Sequence, residues 1–172
     1  KVKNHKVLSY DWSERGVVPK TGMIHDFIKL IEDFQPDLVA VSVLESTYDV
    51  GLGLMKAVPE KLRTYKTLFG GVFATYAPEK VLKEEVVDMV CRGEGEEALI
   101  DLCRRMVEGR RIDDTLNLWV KEDGHITKNN MRAAIDVNTL PFPDWDLFEP
   151  QSIYRPMQGE IYRAIGMENQ RG

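Results

Sequence analysis

The chain has 172 residues, 43% of them hydrophobic and 30% charged, which suits one globular domain with room for a small appendage. A net charge of −5, with no stripe of lysine and arginine, argues against a nucleic-acid partner. The sequence has no apolar run of the roughly 18 residues that a membrane span needs and no signal-peptide core, so we expect a cytoplasmic protein. Cys91 and Cys103 are expected to be buried, reduced thiols rather than a disulfide or metal pair.

The first part of the chain alternates between predicted strands and helices. Residues 6–11 have the pattern of a short strand, and a helix follows from Asp26 to Phe34, with apolar residues at helical spacing. Pro36 ends this helix. Residues 37–44 form a continuous apolar run, which is typical of a parallel strand buried on both faces.

The alternation continues through residue 109. A polar stretch at 45–49 precedes a predicted helix at 50–58, and a strand at 66–70 runs into a glycine pair and a small-polar loop. A short helix is expected from Pro78, then a buried strand at 86–93. The helix after it is predicted to turn four side chains inward: Leu99, Leu102, Cys103 and Met106.

This order predicts an α/β fold, a doubly wound parallel sheet of the Rossmann-like or flavodoxin-like kind, because right-handed crossovers place helices on both faces. After residue 112 the pattern changes. Residues 113–130 read as a β-hairpin around Asp123 and Gly124, a strong turn signal. Residues 131–172 begin with a linker rich in proline and aromatic residues.

Three predicted loops follow strands and are expected to meet at one edge of the sheet, where α/β folds bind ligands: residues 42–48, 70–76 and 92–97. The first offers hydroxyl groups, the second bare backbone, and the third N–H groups at a helix start. Each signal alone has a structural explanation. Ser42 suits a hydrogen-bonded core hydroxyl, Gly70 and Gly71 suit a tight turn, and Glu94 and Glu96 suit a solvated helix cap.

Taken together, three stretches resemble the cobalamin-binding domain that precedes the catalytic barrel in many radical S-adenosylmethionine enzymes. They are PDLVAVSVLESTYDVGLGLMKAVPE, LFGGVFATYAPEKVL and VDMVCRGEGEEALIDL. The resemblance covers residues 6–109. It extends to LPFPDWDLF and YRAIGMENQRG, which are similar to the connector and first barrel strand that stand before the cysteine motif of the [4Fe–4S] cluster.

The resemblance implies a role for each matching element. The segment from Ser42 to Leu44 would lie beneath the corrin, and Gly70 and Gly71 would let the nucleotide arm of cobalamin pass. The GEGE turn at 93–96 would pack against the sheet. The cofactor-binding residues implied in this way are Ser42, Leu44, Glu45, Ser46, Thr47, Gly70, Gly71, Phe73, Ala74, Thr75, Gly93 and Glu94.

Two features depart from the family. His5, His25 and His125 do not fit the Asp-x-His-x-x-Gly loop that ligates cobalt, so the resemblance implies cobalamin without a protein histidine ligand. The family's first strand and helix, which precede the segment like HKVLSYDW, are absent here. The N-terminal strand therefore lacks a neighbour, and we expect exposed strands to favour dimerisation.

The resemblance implies a cobalamin-binding module within a methyltransferase or cyclase, with S-adenosylmethionine and the [4Fe–4S] cluster held in the barrel of a longer parent chain. No catalytic residue is expected in residues 1–172. One alternative is a noncatalytic scaffold of the same fold that has lost cobalamin. Another is a nucleotide-binding or signalling domain, although the sequence has neither a Gly-x-Gly-x-x-Gly motif after a strand nor a Walker motif.

Overall fold

The computed structural model describes residues 22–148 and 153–164. The strand expected at 6–11 lies outside these residues. Residues 22–139 belong to one compact unit, and the described residues from 140 onward belong to a second. Within the described ranges, no helix is long and apolar enough to cross a lipid bilayer.

Five strands form the sheet of the first unit, and their spatial order follows the chain. They are β1 (Leu38–Ser42), β2 (Lys66–Gly70), β3 (Met89–Cys91), β4 (Leu118–Glu122) and β5 (His125–Lys128). The first three are parallel, whereas β4 runs antiparallel to β3 and β5 antiparallel to β4. The hairpin predicted around Asp123 and Gly124 is present, and it extends the main sheet through β3.

In the described part of the chain, five α-helices accompany the strands: α1 (Met23–Phe34), α2 (Glu45–Ala57), α3 (Gly71–Tyr76), α4 (Pro78–Leu82) and α5 (Glu96–Val107). Helix α1 ends where Gln35 takes a left-handed conformation, with its N–H donating to the carbonyl of Ile31. Pro36 then prevents the helix from continuing.

Alternate residues of the inner strands face opposite sides of the sheet. Phe69, Val90 and Trp119 point into a core shared with helices α1 to α4. Leu68 and Met89, with other alternate residues, point into a second core under α5. Because helices cover both faces, the predicted doubly wound α/β architecture is confirmed.

Two predicted loops are helical. The polar stretch 45–49 forms the first turn of α2, so this helix begins five residues earlier than the expected Val50. The hydroxyl of Thr47 accepts the N–H of Leu44 at 2.9 Å and satisfies a donor that the helix start leaves open. The loop expected after the glycine pair is helix α3, whose first residue, Gly71, has a left-handed backbone.

Helix α5 buries a different face from the predicted one. Ala98 and Leu102, one turn apart, are fully buried against Leu68 and Met89. Leu99 and Cys103 lie one position further round and are exposed, so the expectation that both point inward is wrong. The small side chain of Ala98 lets the helix approach the sheet closely, and apolar spacing alone did not reveal this.

Strand β1 is less buried than its apolar sequence predicts. Ala40 and Ser42 are exposed, and Leu38, Val39 and Val41 are half-buried. Among the described strands β1 pairs with β2, along one of its edges. The expectation of a strand buried on both faces is therefore not met within the described residues.

The second unit contains a hairpin of β6 (Tyr154–Met157) and β7 (Glu160–Arg163). The N–H of Ala164 donates to the carbonyl of Ile153 at 2.7 Å and closes its open end. The segment from Tyr162, which resembles a first barrel strand, falls partly in β7, and β7 pairs with β6 of the same chain.

Candidate functional site

The segments after β1 and β2 are joined through their backbones at the carboxyl edge of the sheet. Ser42 and Gly70 are register partners at the ends of the two strands. Beyond them, the N–H of Val43 donates to the carbonyl of Gly70 at 2.9 Å, and the carbonyl of Val43 accepts the N–H of Phe73 at 3.2 Å. The predicted convergence of these two segments is confirmed.

The two adjacent glycines serve different purposes. Gly71 has φ +88, and a Cβ there would lie 2.7 Å from the carbonyl oxygen of Val43. Gly70 has an extended backbone, and a Cβ there would meet a single neighbour, the Cβ of Cys91 at 3.8 Å. Gly71 thus permits the close backbone packing of a turn, while Gly70 has room for a Cβ in ordinary van der Waals contact at the end of β2.

The turn after β3 contacts the segment after β2 through a threonine. The hydroxyl of Thr75 donates to the carbonyl of Gly71 at 3.0 Å and accepts the N–H of Gly93 at 2.9 Å. All three predicted segments therefore meet at one edge. The single proton of the Thr75 hydroxyl is therefore donated within the protein and is not available to a ligand.

The first turn of α2 presents polar groups at this edge. Glu45 and Ser46 are exposed, as is Ser42 at the end of β1. Thr47 is also exposed, but its hydroxyl both accepts the N–H of Leu44 and donates to the carbonyl of Leu44 at 3.3 Å. The hydroxyls of Ser42 and Ser46 are better placed than that of Thr47 to reach a ligand.

The edge also exposes large apolar side chains on two of the converging segments. Leu44 is 54% exposed and Val72 is 58% exposed. Phe73 instead packs against the ring of Tyr48, 4.6 Å between centroids, and Ala74 is fully buried in the core. Ala74 therefore supports the fold and its side chain lines no surface, whereas Leu44 and Val72 can cover part of an apolar ligand.

The GEGE turn at 93–96 is fixed by contacts within the protein. Gly93 has φ +72, and the carboxylate of Glu94 accepts the N–H of Ile135 at 2.8 Å. The carbonyl of Glu94 accepts a hydrogen bond from the side-chain amide of Asn117 at 3.0 Å. These contacts agree with the expectation that the turn packs against the sheet.

Asn117 is a residue that sequence reasoning missed. It is buried and left-handed, with φ 72. Its side-chain amide also donates to the carbonyl of Arg92 at 2.9 Å, and its oxygen accepts the N–H of Arg132 at 2.8 Å. The one available signal was an asparagine directly before a strand, since asparagine tolerates left-handed backbone better than most residues.

The described residues contain no group of three or more histidine, cysteine, aspartate or glutamate side chains placed to hold a metal ion. His25 and His125 are exposed, and His5 lies outside the described residues. Burial raises the pKa of the Cys91 thiol to about 11, so this thiol stays protonated at neutral pH. Cys103 is exposed on α5, which corrects the expectation of two buried thiols.

Two curated relatives resemble most of this chain. One is an uncharacterised methyltransferase of Pyrococcus horikoshii, 30% identical over 132 residues, which cover 76% of this chain and 28% of the relative. Another is the anaerobic magnesium-protoporphyrin IX monomethyl ester cyclase of Cereibacter sphaeroides, 28% identical, with 74% of this chain and 22% of the enzyme covered. The chain thus spans about a quarter of the length of these relatives.

Solved structures show the same fold. The cobalamin-dependent radical S-adenosylmethionine enzyme OxsB, with aqua-cobalamin bound, aligns with a TM-score of 0.57 and 20% identity over 65% of this chain and 16% of its own. The radical methyltransferase TsrM of Kitasatospora setae, with cobalamin and a [4Fe-4S] cluster bound, gives a TM-score of 0.53 and 14% identity over 67% and 23%. The sequence model of the B12 binding domain matches residues 7–102, more than half of the chain. The chain belongs to the B12 binding domain family.

Proposed function

We propose that this chain holds cobalamin in a longer radical S-adenosylmethionine enzyme and presents it to a catalytic barrel of the same polypeptide. The observation that carries this proposal is the room beside Gly70, where an added Cβ would meet, among the described residues, just the Cβ of Cys91 at 3.8 Å. A bare strand end at the carboxyl edge of an α/β sheet is where a narrow ligand arm can pass close to the backbone. The exposed Leu44 and Val72 at the same edge suit the apolar surface of a corrin ring.

The proposed contacts fall into two groups. Ser42, Leu44, Glu45 and Ser46 would contact the ring and its amide arms, and Gly70 would line the passage of the nucleotide arm. The other residues implied by the family resemblance would act through the backbone or by supporting these: Thr47, Gly71, Phe73, Ala74, Thr75, Gly93 and Glu94. This division follows from the bonds that Thr47, Thr75 and Glu94 already make within the protein.

The cobalt is proposed to have no histidine ligand from this chain. His25 and His125 lie outside the converging segments, on α1 and at the start of β5. The aliphatic side chain of Leu44 is one group that this edge offers to the lower face of the corrin. Bound cobalamin would supply a cobalt centre able to carry a methyl group, while the residues of this chain bind and orient it.

The parent enzyme is proposed to hold S-adenosylmethionine and a [4Fe–4S] cluster in its barrel and to be a methyltransferase or a cyclase. Both reaction classes occur among the names of the relatives, a methyltransferase and an ester cyclase. The proposed organisation is a cobalamin domain at 1–112, a hairpin at 113–130 and a connector with the first barrel strand at 131–172. The pairing of β4 with β3 supports an arrangement in which the hairpin extends the sheet of this domain. We also propose a cytoplasmic location, which cell fractionation would test.

Titration of the 172-residue chain with hydroxocobalamin, followed by the visible corrin absorption bands, tests the proposal. We expect saturable binding, and we expect Gly70→Val to abolish it because a branched side chain would fill the room beside Gly70. Gly53→Val is the matched control, since an added Cβ there meets no atom within 4 Å. Circular dichroism would verify that all three proteins are folded.

Absence of binding by the folded wild-type chain would refute the proposal and favour the scaffold alternative. Unchanged affinity in a folded Gly70→Val protein would refute the proposed path of the nucleotide arm. Dimerisation is a separate expectation, which sedimentation of the same chain would test.

A further inference from the structure

The backbone pairing of β2 with β3 stops before the ligand edge, although the strand ends stay close: an added Cβ on Gly70 would lie 3.8 Å from the Cβ of Cys91. Their pairing ends at Phe69 and Val90. Beyond that pair, Gly70 is the register partner of Ser42 on one side, and Cys91 is the partner of Leu118 on the other. Gly70 and Cys91 therefore form an unpaired stretch between the two strand ends, the gap, and within the described residues no backbone ladder fixes its width.

Thr75 bridges this gap. It lies on α3, which follows β2, and its hydroxyl donates to the carbonyl of Gly71 at 3.0 Å. The same oxygen accepts the N–H of Gly93 at 2.9 Å, and Gly93 follows β3. One side chain thus connects the turn at the end of β2 with the turn at the end of β3.

The far side of the bridge is held in place by its own contacts. The guanidinium of Arg92 lies 4.8 Å from the ring centroid of Trp119, and its Nε is 3.5 Å from the carbonyl oxygen of Thr75. Asn117 donates to the carbonyls of Arg92 and Glu94. Gly93 is therefore fixed to the sheet through β4, and Thr75 connects this fixed turn to α3.

We propose that Thr75 is a positioning residue, whose hydroxyl fixes the distance between the two turns and so keeps the gap beside Gly70 at the width that a ligand arm needs. Thr75 does not contact the ligand in this proposal, because its only proton is donated to Gly71. The inference rests on the proposed cobalamin site. It identifies a residue that controls access to the proposed cobalamin site without contacting the cobalamin.

Three substitutions test the role of the hydroxyl. Thr75→Val removes the hydroxyl at nearly constant volume, and Thr75→Ser retains it. Thr115→Val is the matched control, because the buried hydroxyl of Thr115 has no hydrogen-bond partner among the residues that the structure describes. We expect Thr75→Val to weaken hydroxocobalamin binding about tenfold, the effect of one hydrogen bond, and we expect Thr75→Ser and Thr115→Val to bind as the wild type does.

A second readout needs no ligand. The amide of Gly93 should lose its hydrogen-bond acceptor in Thr75→Val, so its proton resonance should move upfield in a ¹H–¹⁵N spectrum and its hydrogen exchange should accelerate about tenfold. Thr75→Ser should restore both properties. A purely structural role would lower the free energy of unfolding without changing the affinity of the folded fraction.

The outcomes separate the two proposals. If the wild type binds cobalamin and folded Thr75→Val binds equally well, the positioning role is refuted and the proposed function stands. If the folded wild type does not bind, both fall. If Thr75→Val does not fold, Thr75→Ala takes its place in both measurements, and failure of both variants to fold would show that the hydroxyl is structural and refute the positioning role.

Discussion

Replacing Gly71 with alanine should destabilise the protein far more than the same change at its neighbour Gly70. Gly71 has φ +88, in the left-handed region, and its new Cβ would lie 2.7 Å from the oxygen and 2.9 Å from the nitrogen of Val43. Both atoms are backbone, so neither can rotate away. Each also takes part in a hydrogen bond, to Phe73 and to Gly70 respectively, that a shift would weaken.

The size of the effect follows from the cost of the left-handed backbone and the cost of the weakened hydrogen bonds. A non-glycine residue held in a sparsely populated backbone region costs about 1–3 kcal/mol, and weakening one or two hydrogen bonds adds about 1 kcal/mol. We therefore expect Gly71→Ala to lower the free energy of unfolding by about 2–4 kcal/mol. Gly70 has φ −134 and ψ −167, which any residue adopts, so Gly70→Ala should change that free energy by less than about 1 kcal/mol.

Urea denaturation followed by circular dichroism would measure both variants against the wild type. An unchanged slope with a lower midpoint for Gly71→Ala would show a loss of stability without a change in the denatured state. Equal free energies of unfolding for the two variants would refute the division of roles between the glycines. A larger loss at Gly70 would show that the space beside Gly70 is filled in the folded protein.

Three further predictions concern the rest of the fold. Asn117→Ala should lower the free energy of unfolding by about 2–4 kcal/mol, because the carbonyls of Arg92 and Glu94 would lose the hydrogen bonds that the Asn117 amide donates. A loss below about 0.5 kcal/mol in urea denaturation would contradict this expectation. Leu102→Ala should cost about 2–5 kcal/mol in the same assay, whereas Val107→Ala on the exposed face of the same helix should change stability by less than about 0.5 kcal/mol. A thiol reagent such as Ellman's should label Cys103 rapidly at pH near 8 and Cys91 slowly, because burial keeps Cys91 protonated with a pKa of about 11, and equal rates would show that Cys91 is accessible.

The sequence predicts the inner strands well, because a continuous apolar run has few interpretations in a chain whose predicted strands and helices alternate. Phe69 and Val90 lie where the predicted strands place them, and both are fully buried. Strand β1 has an equally apolar sequence, yet Ala40 is exposed. The apolar pattern of a sequence shows which residues can be buried. Whether they are buried depends on neighbouring elements from elsewhere in the fold.

Helix boundaries were harder to predict, because a side-chain cap and a left-handed glycine leave weak signals. The five residues 45–49 read as a polar loop, but the Thr47 hydroxyl satisfies the N–H of Leu44 and starts α2 at Glu45. A glycine pair followed by small residues indicates a turn, and the turn is real at Gly71. It nevertheless leads directly into α3, since left-handed backbone at one residue does not prevent the next from being helical.

The converging loops could be located from the order of strands, but the use of their polar groups could not. Both threonines proposed from the sequence donate their hydroxyl protons to backbone carbonyls: Thr47 to the carbonyl of Leu44, and Thr75 to the carbonyl of Gly71. Hydrogen-bond partners three or four residues away on a helix are invisible without knowing that the helix exists.

The internal use of these hydroxyls limits how the edge can recognise a ligand. With Thr47 and Thr75 engaged, direct polar contacts must come from Ser42, Ser46, Glu45 and the backbone, while Leu44 and Val72 offer apolar surface. If this edge binds cobalamin as proposed, such a surface would select by shape and by the width of the gap beside Gly70 more than by charge. A large ligand with an apolar face and a narrow arm meets both conditions, and a compact phosphate ligand would leave the apolar side chains uncovered. The same reasoning predicts that Thr75, which connects the turns after β2 and β3, affects binding although its hydroxyl is engaged within the protein.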